Sequence, residues 1–463
     1  MEIFGTTLYL FLNLIIVTYA STPLCLLCPC NSQPNKPPNI NCVNSNVSDI
    51  LEKKFWIDDF NKSYAIQSLI YKHNDLKNLT TKFPLSNLTI LDLSDNVIKE
   101  VGDGVFSGLQ NMEQLILANN DIHHIKPEAF RGIYDKNEYF PLKSLRILDV
   151  SYNKIHTLHA DTFEHIDELE TLILKNNPFK FIDSQTLSAI ASLVYLKELD
   201  ISYTQLQNLP EYFMHTPKYL RILDLSGNNF TKIPSALGES HALEILYFNN
   251  NPLQYLAKSN AFPKIPMLRI LHLSHMPLLE RLCEYSLSQL CNLEELHVNY
   301  NAKLSTINSR AFLISNHEER HILLKKIFIN NNNLSYLERG TLDMKNIENI
   351  DIKENPWSCD CLNQWLIDEV ISVYLRIDEE AAKHLRCVKP TDMENKTLYD
   401  MHSQNKTMRC LRFYESSVES TWLLIGVVSG VLIGIAFAMF AVYIYRIKIL
   451  NFGNFNYPAY SRV

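Results

Sequence analysis

One phrase, written repeatedly along the chain, restricts its fold more than any other feature. LRILDLSGNN at residues 220–229 has near copies in LRILDVSYN from Leu145 and LRILHLSHM from Leu268. Aligned on LxxLxLxxN, the pattern starts at Ile66, Leu88, Met112, Leu145, Leu169, Leu196, Leu220, Leu243, Leu268, Leu293, Leu324 and Ile347, with most spacings between 22 and 25 residues. Within LDLS, Leu223 and Leu225 alternate with Asp224, the period of a strand, so both leucines point to one side and Asp224 to the other. A single such unit cannot bury its apolar side. Stacked units can, by fusing their leucines into one core beneath a parallel sheet.

The pattern resembles the leucine-rich repeat family over about two thirds of the chain. The expected fold class is therefore an α/β repeat solenoid, a curved horseshoe with a parallel concave sheet. The Asn closing the pattern (Asn96, Asn120, Asn153, Asn177, Asn228, Asn251, Asn301, Asn332, Asn355) is expected to satisfy backbone groups where the chain leaves the strand. Thr204 and Met276 replace it in two repeats, and the turn at Met276 is expected to differ locally. Phe106, Phe130, Phe163, Phe213, Phe262 and Phe312 recur at the repeat period and read as a spine under the convex side. Two longer intervals, near RGIYDKNEYFPLK and ISNHEERHI, read as inserted loops.

Two apolar segments flank the repeats. The run from Leu8 to Val17, followed by small residues at Thr18 and Ala20, reads as a secretory signal cleaved after Ala20, with a short membrane anchor as the alternative. Trp422 to Tyr445 is 24 residues without a charge, enough to cross about 30 Å of hydrocarbon. The signal sets the orientation: residues 21 to 421 outside, 446 to 463 inside, at the plasma membrane. All eight N-x-S/T sites (Asn46, Asn61, Asn78, Asn87, Asn229, Asn333, Asn395, Asn405) and all ten cysteines fall in the outer part. A net charge of -7 without long like-charge runs gives no electrostatic reason for a nucleic-acid partner.

Cysteines cluster where a solenoid needs caps, as Cys25, Cys28, Cys30 and Cys42 before the repeats and Cys359, Cys361, Cys387 and Cys410 after them. Sequence alone leaves three connectivities for each four, and CxxC also admits zinc, although no His lies in the first cluster. The second cluster, opening NPWSCDCLNQW, resembles the C-terminal flank of extracellular leucine-rich repeat receptors, and the first resembles the matching N-terminal flank. That resemblance implies Cys25–Cys30, Cys28–Cys42, Cys359–Cys387 and Cys361–Cys410. Cys283 and Cys291, apart from both clusters, read as a local disulfide, with two free thiols as the alternative. The expected organisation is signal (1–20), N-terminal cap (21–65), repeats (66–355), C-terminal cap (356–412), linker (413–421), transmembrane helix (422–445) and cytoplasmic tail (446–463).

No GxSxG, HExxH or phosphate-cradling glycine loop occurs, so neither an enzyme nor a cofactor or metal is expected. Function is expected on the sheet instead. The residue between the strand leucines forms an outward column: Ile70, Asp92, Ile116, Asp149, Ile173, Asp200, Asp224, Tyr247, His272, His297, Phe328, Asp351. From Tyr247 to Phe328 it turns aromatic, flanked by His275 and Tyr300, and reads as a patch for an extracellular protein partner. Three histidines there could also bind a metal or sense pH, but no carboxylate is evident beside them.

Gly426, Gly430 and Gly434 repeat GxxxG and suggest a homodimer through the membrane helix. Tyr460, Ser461 and Val463 fit a PDZ-binding end or a Tyr-x-x-apolar endocytic signal. The repeats and flanks resemble Toll-type receptor ectodomains, which implies an inner signalling domain; the 18-residue tail is too short for one, so any signalling is expected through an associated chain. The reading is a cell-surface glycoprotein for adhesion, recognition or co-receptor work, with a Toll-related signalling receptor or decoy as the alternative.

Overall fold

The computed structural model describes residues 22–31, 36–45, 47, 50–135, 137–314, 320–411 and 418–452. The signal segment, Asn46 and the tail residues Tyr460, Ser461 and Val463 lie outside them. The described residues fall in two units, one ending at Met408 and one from Arg409 onward.

The first unit is a solenoid. Twelve three-residue strands, from Ser68–Ile70 to Asn349–Asp351, pair in parallel and in unbroken register. At the N-terminal end Asn39–Asn41 joins in parallel and Cys30–Asn31 adds an antiparallel edge. The middle residue of each strand is the leucine or isoleucine of the pattern, and Leu199, Leu223, Leu246, Leu271 and Leu296 are fully buried. Two short parallel ladders line the far side, one through Asn78–Leu79, Glu100–Val101 and His124–Ile125, the other through Tyr255–Leu256, Arg281–Leu282 and Thr306–Ile307.

The closing asparagines stitch neighbouring repeats together. Asn228 Nδ2 donates to Ile201 O of the preceding repeat (2.9 Å) and to Leu225 O of its own (3.0 Å), while its Oδ1 accepts from Leu206 N (2.9 Å). Asn74 also fits the rule, donating to the Cys42 carbonyl at 2.9 Å and so tying the first repeat to the cap. The Thr204 hydroxyl reaches Ile201 O of its own repeat at 2.7 Å and Asn228 Oδ1 of the next at 3.0 Å, rather than a carbonyl of the preceding repeat. The turn at Met276 does not differ as expected. Its backbone is kept, because His275 holds the same left-handed φ (56°) as Asn250 (53°) and Tyr300 (58°), and the Met276 amide still donates to Asn301 Oδ1 at 2.7 Å. The change is chemical: a thioether that can only accept, here from Asn251 N at 3.5 Å, stands where an amide would donate.

Phe106, Phe130, Phe163, Phe213, Phe262 and Phe312 are all buried, and Phe83, Phe106 and Phe130 stack in series at 5.9 and 6.1 Å. The series is interrupted after Phe163, where the convex segment becomes the helix Ser184–Ala191, N-capped by Asp183. The two inserted segments fold as short antiparallel hairpins, Tyr134–Asp135 with Glu138–Tyr139 and Leu313–Ile314 with Arg320–His321.

Both ends are closed. Trp56 packs edge-on against Phe83 and donates to Ile50 O at 2.7 Å, with disulfides Cys25–Cys30 and Cys28–Cys42 outside it. Beyond the last strand, the buried Tyr374 hydroxyl accepts the Ile352 amide at 2.7 Å, and Trp357 donates to Ile352 O at 2.9 Å. Burial and Asp351 push the Tyr374 phenol well above its ordinary range, so it stays neutral. Cys359 pairs with Cys387, and Cys361 and Cys410 are disulfide-bonded. The expected bond between Cys283 and Cys291 is absent: both thiols are free. Cys283 follows the outer strand Arg281–Leu282, Cys291 ends the convex turns, and buried Leu287 and Leu290 fill the interval.

The second unit contains the helix Val418–Phe452, whose stretch Ile425–Lys448 is long and apolar enough to cross a membrane. Gly426, Gly430 and Gly434 lie along one side of it, with open space beside each.

Candidate functional site: the aromatic half of the sheet

The uniform register places the outward column residues side by side. Asp224 pairs with Tyr247, Tyr247 with His272, His272 with His297 and His297 with Phe328. Their rings stack in one file, at 4.5 Å between Tyr247 and His272, 4.1 Å between His272 and His297, and 4.4 Å between His297 and Phe328. Each ring is half-buried by its neighbours. Strand spacing of about 4.8 Å, slightly closed by sheet curvature, is near the ideal separation for offset stacking. His275 and Tyr300, in the turns that follow, form a second parallel pair at 4.8 Å and remain exposed. The expected patch thus consists of a four-ring file and a two-ring pair. Outward-facing Ile222, Ile245 and Ile270, at the first position of their strands, extend the apolar surface beside the file.

The acidic members of the column serve the fold. Asp92, Asp149, Asp200, Asp224 and Asp351 each accept the amide two residues ahead, at 2.8 to 3.0 Å. Tyr247, His272, His297 and Phe328 cannot do this. There a row of small polar side chains takes over, with Asn249 Oδ1 accepting Ser274 N at 2.8 Å and Ser274 Oγ donating to Asn299. The aromatic repeats have therefore moved the turn's hydrogen bonding off the column, leaving its rings free for other contacts.

Electrostatics sets the charge state of His272. Burial, then the neighbouring His297, lowers the His272 pKa to about 4, so its ring is neutral at physiological pH. A carboxylate does stand beside the histidines: Glu295 contacts His297 Nε2 at 2.7 Å and Lys326 Nζ at 3.0 Å. Despite burial, those bonds hold the Glu295 carboxyl below its usual range. Among the described residues no group of three or more His, Cys, Asp or Glu is arranged to hold a metal.

Seven sequon asparagines are described and all are exposed: Asn61, Asn78, Asn87, Asn229, Asn333, Asn395 and Asn405. None belongs to a strand of the large sheet. A further row escaped the column reading. The second letter of each LxxL lies at the edge of the sheet, and from Arg221 it alternates in sign: Arg221, Glu244, Arg269, Glu294, Lys325, Glu348. Arg221–Glu244, Arg269–Glu294 and Glu294–Lys325 are ion pairs at 2.8, 2.9 and 3.2 Å. Reading that letter down the repeats would have shown it.

Fold and site together define the class: the chain is a leucine-rich repeat solenoid with disulfides at both flanks, followed by an apolar helix. The leucine rich repeat model matches residues 86–134, 143–197 and 194–253. The CD180 antigen of Mus musculus is 27% identical over 305 residues, covering 63% of this chain and 44% of that protein. Toll-like receptor 3 of Bos taurus is 29% identical over 210 residues, covering 44% and 23%. An adenylate cyclase of Schizosaccharomyces pombe is 28% identical over 346 residues, covering 71% and 19%. The chain thus spans less than half the length of each of these relatives. The crystal structure of the mouse RP105/MD-1 complex superposes with a TM-score of 0.51 at 20% identity, over 73% of this chain and 50% of that one, a likeness of fold.

Proposed function

We propose that this protein is a cell-surface glycoprotein that binds an extracellular protein partner through the aromatic half of its concave sheet, in adhesion, recognition or co-receptor work. The observation that carries the reading is the ring file from Tyr247 to Phe328, which the fold does not need for its turns, on a sheet bearing no sequon. Clustered aromatic surface of this kind suits a binding hot spot. Binding, with no reaction at the site, is the function proposed. The relationship to the CD180 antigen and Toll-like receptor 3 favours a second reading, a receptor or decoy that signals through an associated chain.

The test is to display the full chain on cells and probe it with a panel of purified extracellular proteins. Replacing Tyr247, His297 and Phe328 together by serine is expected to weaken the captured partner at least tenfold with surface levels unchanged. Undiminished binding rejects the patch. Cell-surface partners favour adhesion, and secreted or microbial ones favour signalling.

A further inference from the structure

The turn that follows each strand passes through a residue with a left-handed backbone, and that residue points a side chain outward in every repeat but one. Tyr203, Asn250, His275 and Tyr300 belong to this row, and Gly227 is its one member without a side chain. From one side the Tyr203 ring leans into the space so left, where it would overlap any Cβ added at Gly227. Further along, the His275 and Tyr300 rings stand stacked at 4.8 Å. Between these aromatic walls opens a cleft of about 720 Å³ at the turn edge of the sheet. None of the four rings of the file lines it.

Its remaining lining is polar and balanced in charge. Asn249 Oδ1 accepts the Ser274 amide at 2.8 Å, so the Nδ2 hydrogens of that side chain remain to donate. Asp224 Oδ1 accepts the Ser226 amide at 2.8 Å, and a carboxylate has acceptor capacity beyond that one bond. Lys175 and Asp224, one of each sign, are the permanent charges among the lining residues. An anion or a cation therefore gains no net attraction. Apart from the rings, the apolar lining is Met276, Pro277 and Ala302, and Met276 is buried, which leaves little to hold an aliphatic side chain.

Aromatic walls beside a neutral hydrogen-bonding floor match the chemistry of a sugar ring. One face of a pyranose is a patch of C–H bonds that rests on an aromatic ring, and its rim hydroxyls both donate and accept, as an amide and a carboxylate require. The cleft also falls within the range of roughly 300–1,000 Å³ usual for small-ligand sites. We propose that it binds a neutral pyranose at the end of an extracellular glycan, with the sugar packed on Tyr203, its hydroxyls held by Asp224 and Asn249, and the next unit of the glycan against His275 and Tyr300. This site goes beyond the protein-binding role of the ring file and does not rest on it.

The full chain is displayed on cells and stained with fluorescent polymers carrying terminal mannose, galactose, N-acetylglucosamine or sialic acid, with the bare polymer as control. At least one neutral polymer is expected to bind and to be displaced by the same sugar free in solution. Tyr203→Ala is expected to lower that staining at least tenfold at unchanged surface level, whereas Tyr203→Phe, which keeps the ring, stays within twofold of the parent. Asp224→Asn keeps an acceptor for the Ser226 amide and is expected to lose at least threefold, as is the double replacement of His275 and Tyr300 by alanine. Absence of binding by every neutral polymer, staining confined to sialic acid, staining shared by the bare polymer, or staining indifferent to Tyr203→Ala each overturns the proposal. If the sugar polymers stay silent while Tyr203→Ala abolishes capture of a protein from the extracellular panel, the cleft takes a peptide and the proposal falls.

Discussion

The imidazoles of His272 and His297 lie 4.1 Å apart with planes inclined by 14°, on adjacent strands from residues 25 positions apart in the chain. Two such rings stack stably only while at least one is uncharged. Burial provides for this, because it lowers the His272 pKa to about 4.

Stability is therefore expected to depend on pH through His272. Its folded pKa of about 4 lies below the ordinary 6.5, so between these values the unfolded chain binds more protons than the folded one. Stability is full above pH 6.5 and falls as pH drops toward 4, by about 2 kcal/mol once partial exposure is discounted. His272→Phe should remove that component; denaturant titrations at pH 7.5 and pH 4.5 on both proteins measure it. An equal loss in the two would refute the assignment.

Restoring the asparagine rule should stabilise the solenoid. An Asn at position 204 or 276 can donate to the preceding repeat, which neither Thr204 nor Met276 does. Thr204→Asn or Met276→Asn is expected to add about 1 kcal/mol, the usual net worth of a buried hydrogen bond. Asn228→Leu should cost about 2 to 4 kcal/mol by leaving the carbonyls of Ile201 and Leu225 without this donor. Thermal melts of the variants decide both signs.

Gly227 is expected to resist replacement because of one neighbour. Its φ is +66°, like the corresponding residue of every repeat, yet an added Cβ would come within 2.3 Å of the Tyr203 ring. Gly227→Ala should cost about 1 to 2 kcal/mol, combining left-handed strain with that clash. Tyr203→Ala should itself be mild and should relieve most of the loss, a coupling read from a double-mutant cycle.

The thiols should divide cleanly under a maleimide reagent. In the folded, unreduced chain, mass spectrometry is expected to find labels on Cys291 first and Cys283 more slowly, with the flank cysteines protected. Cys291→Ser should change stability by less than about 0.5 kcal/mol, as expected for an exposed side chain. A Cys283–Cys291 disulfide in the peptide map would contradict the structure.

The repeat itself was legible in the letters. Leu223 and Leu225 have to face inward with Asp224 outward, because a strand alternates sides, and the amide of Asn228 can both donate to and accept from the backbone groups left open where the chain leaves the strand. The register followed from the same regularity, so the whole column from Ile70 to Asp351 was correctly ordered. Cys283 and Cys291 show where this reading ends: a spacing of eight fits a disulfide, but the path of the convex segment keeps the thiols apart. Met276 was misjudged for a related reason, since its turn is held by Asn301 from the next repeat as well as by its own side chain.

By itself, the sequence determined the solenoid, its inner and outward faces, its capped ends and its apolar helix, because each depends on which residues must leave water. Tertiary structure decided how outward residues meet across strands. That Tyr247, His272, His297 and Phe328 share one file, that Glu295 reaches His297, and that the lateral charges alternate in pairs all depend on the sheet bringing residues some 25 positions apart to within about 5 Å.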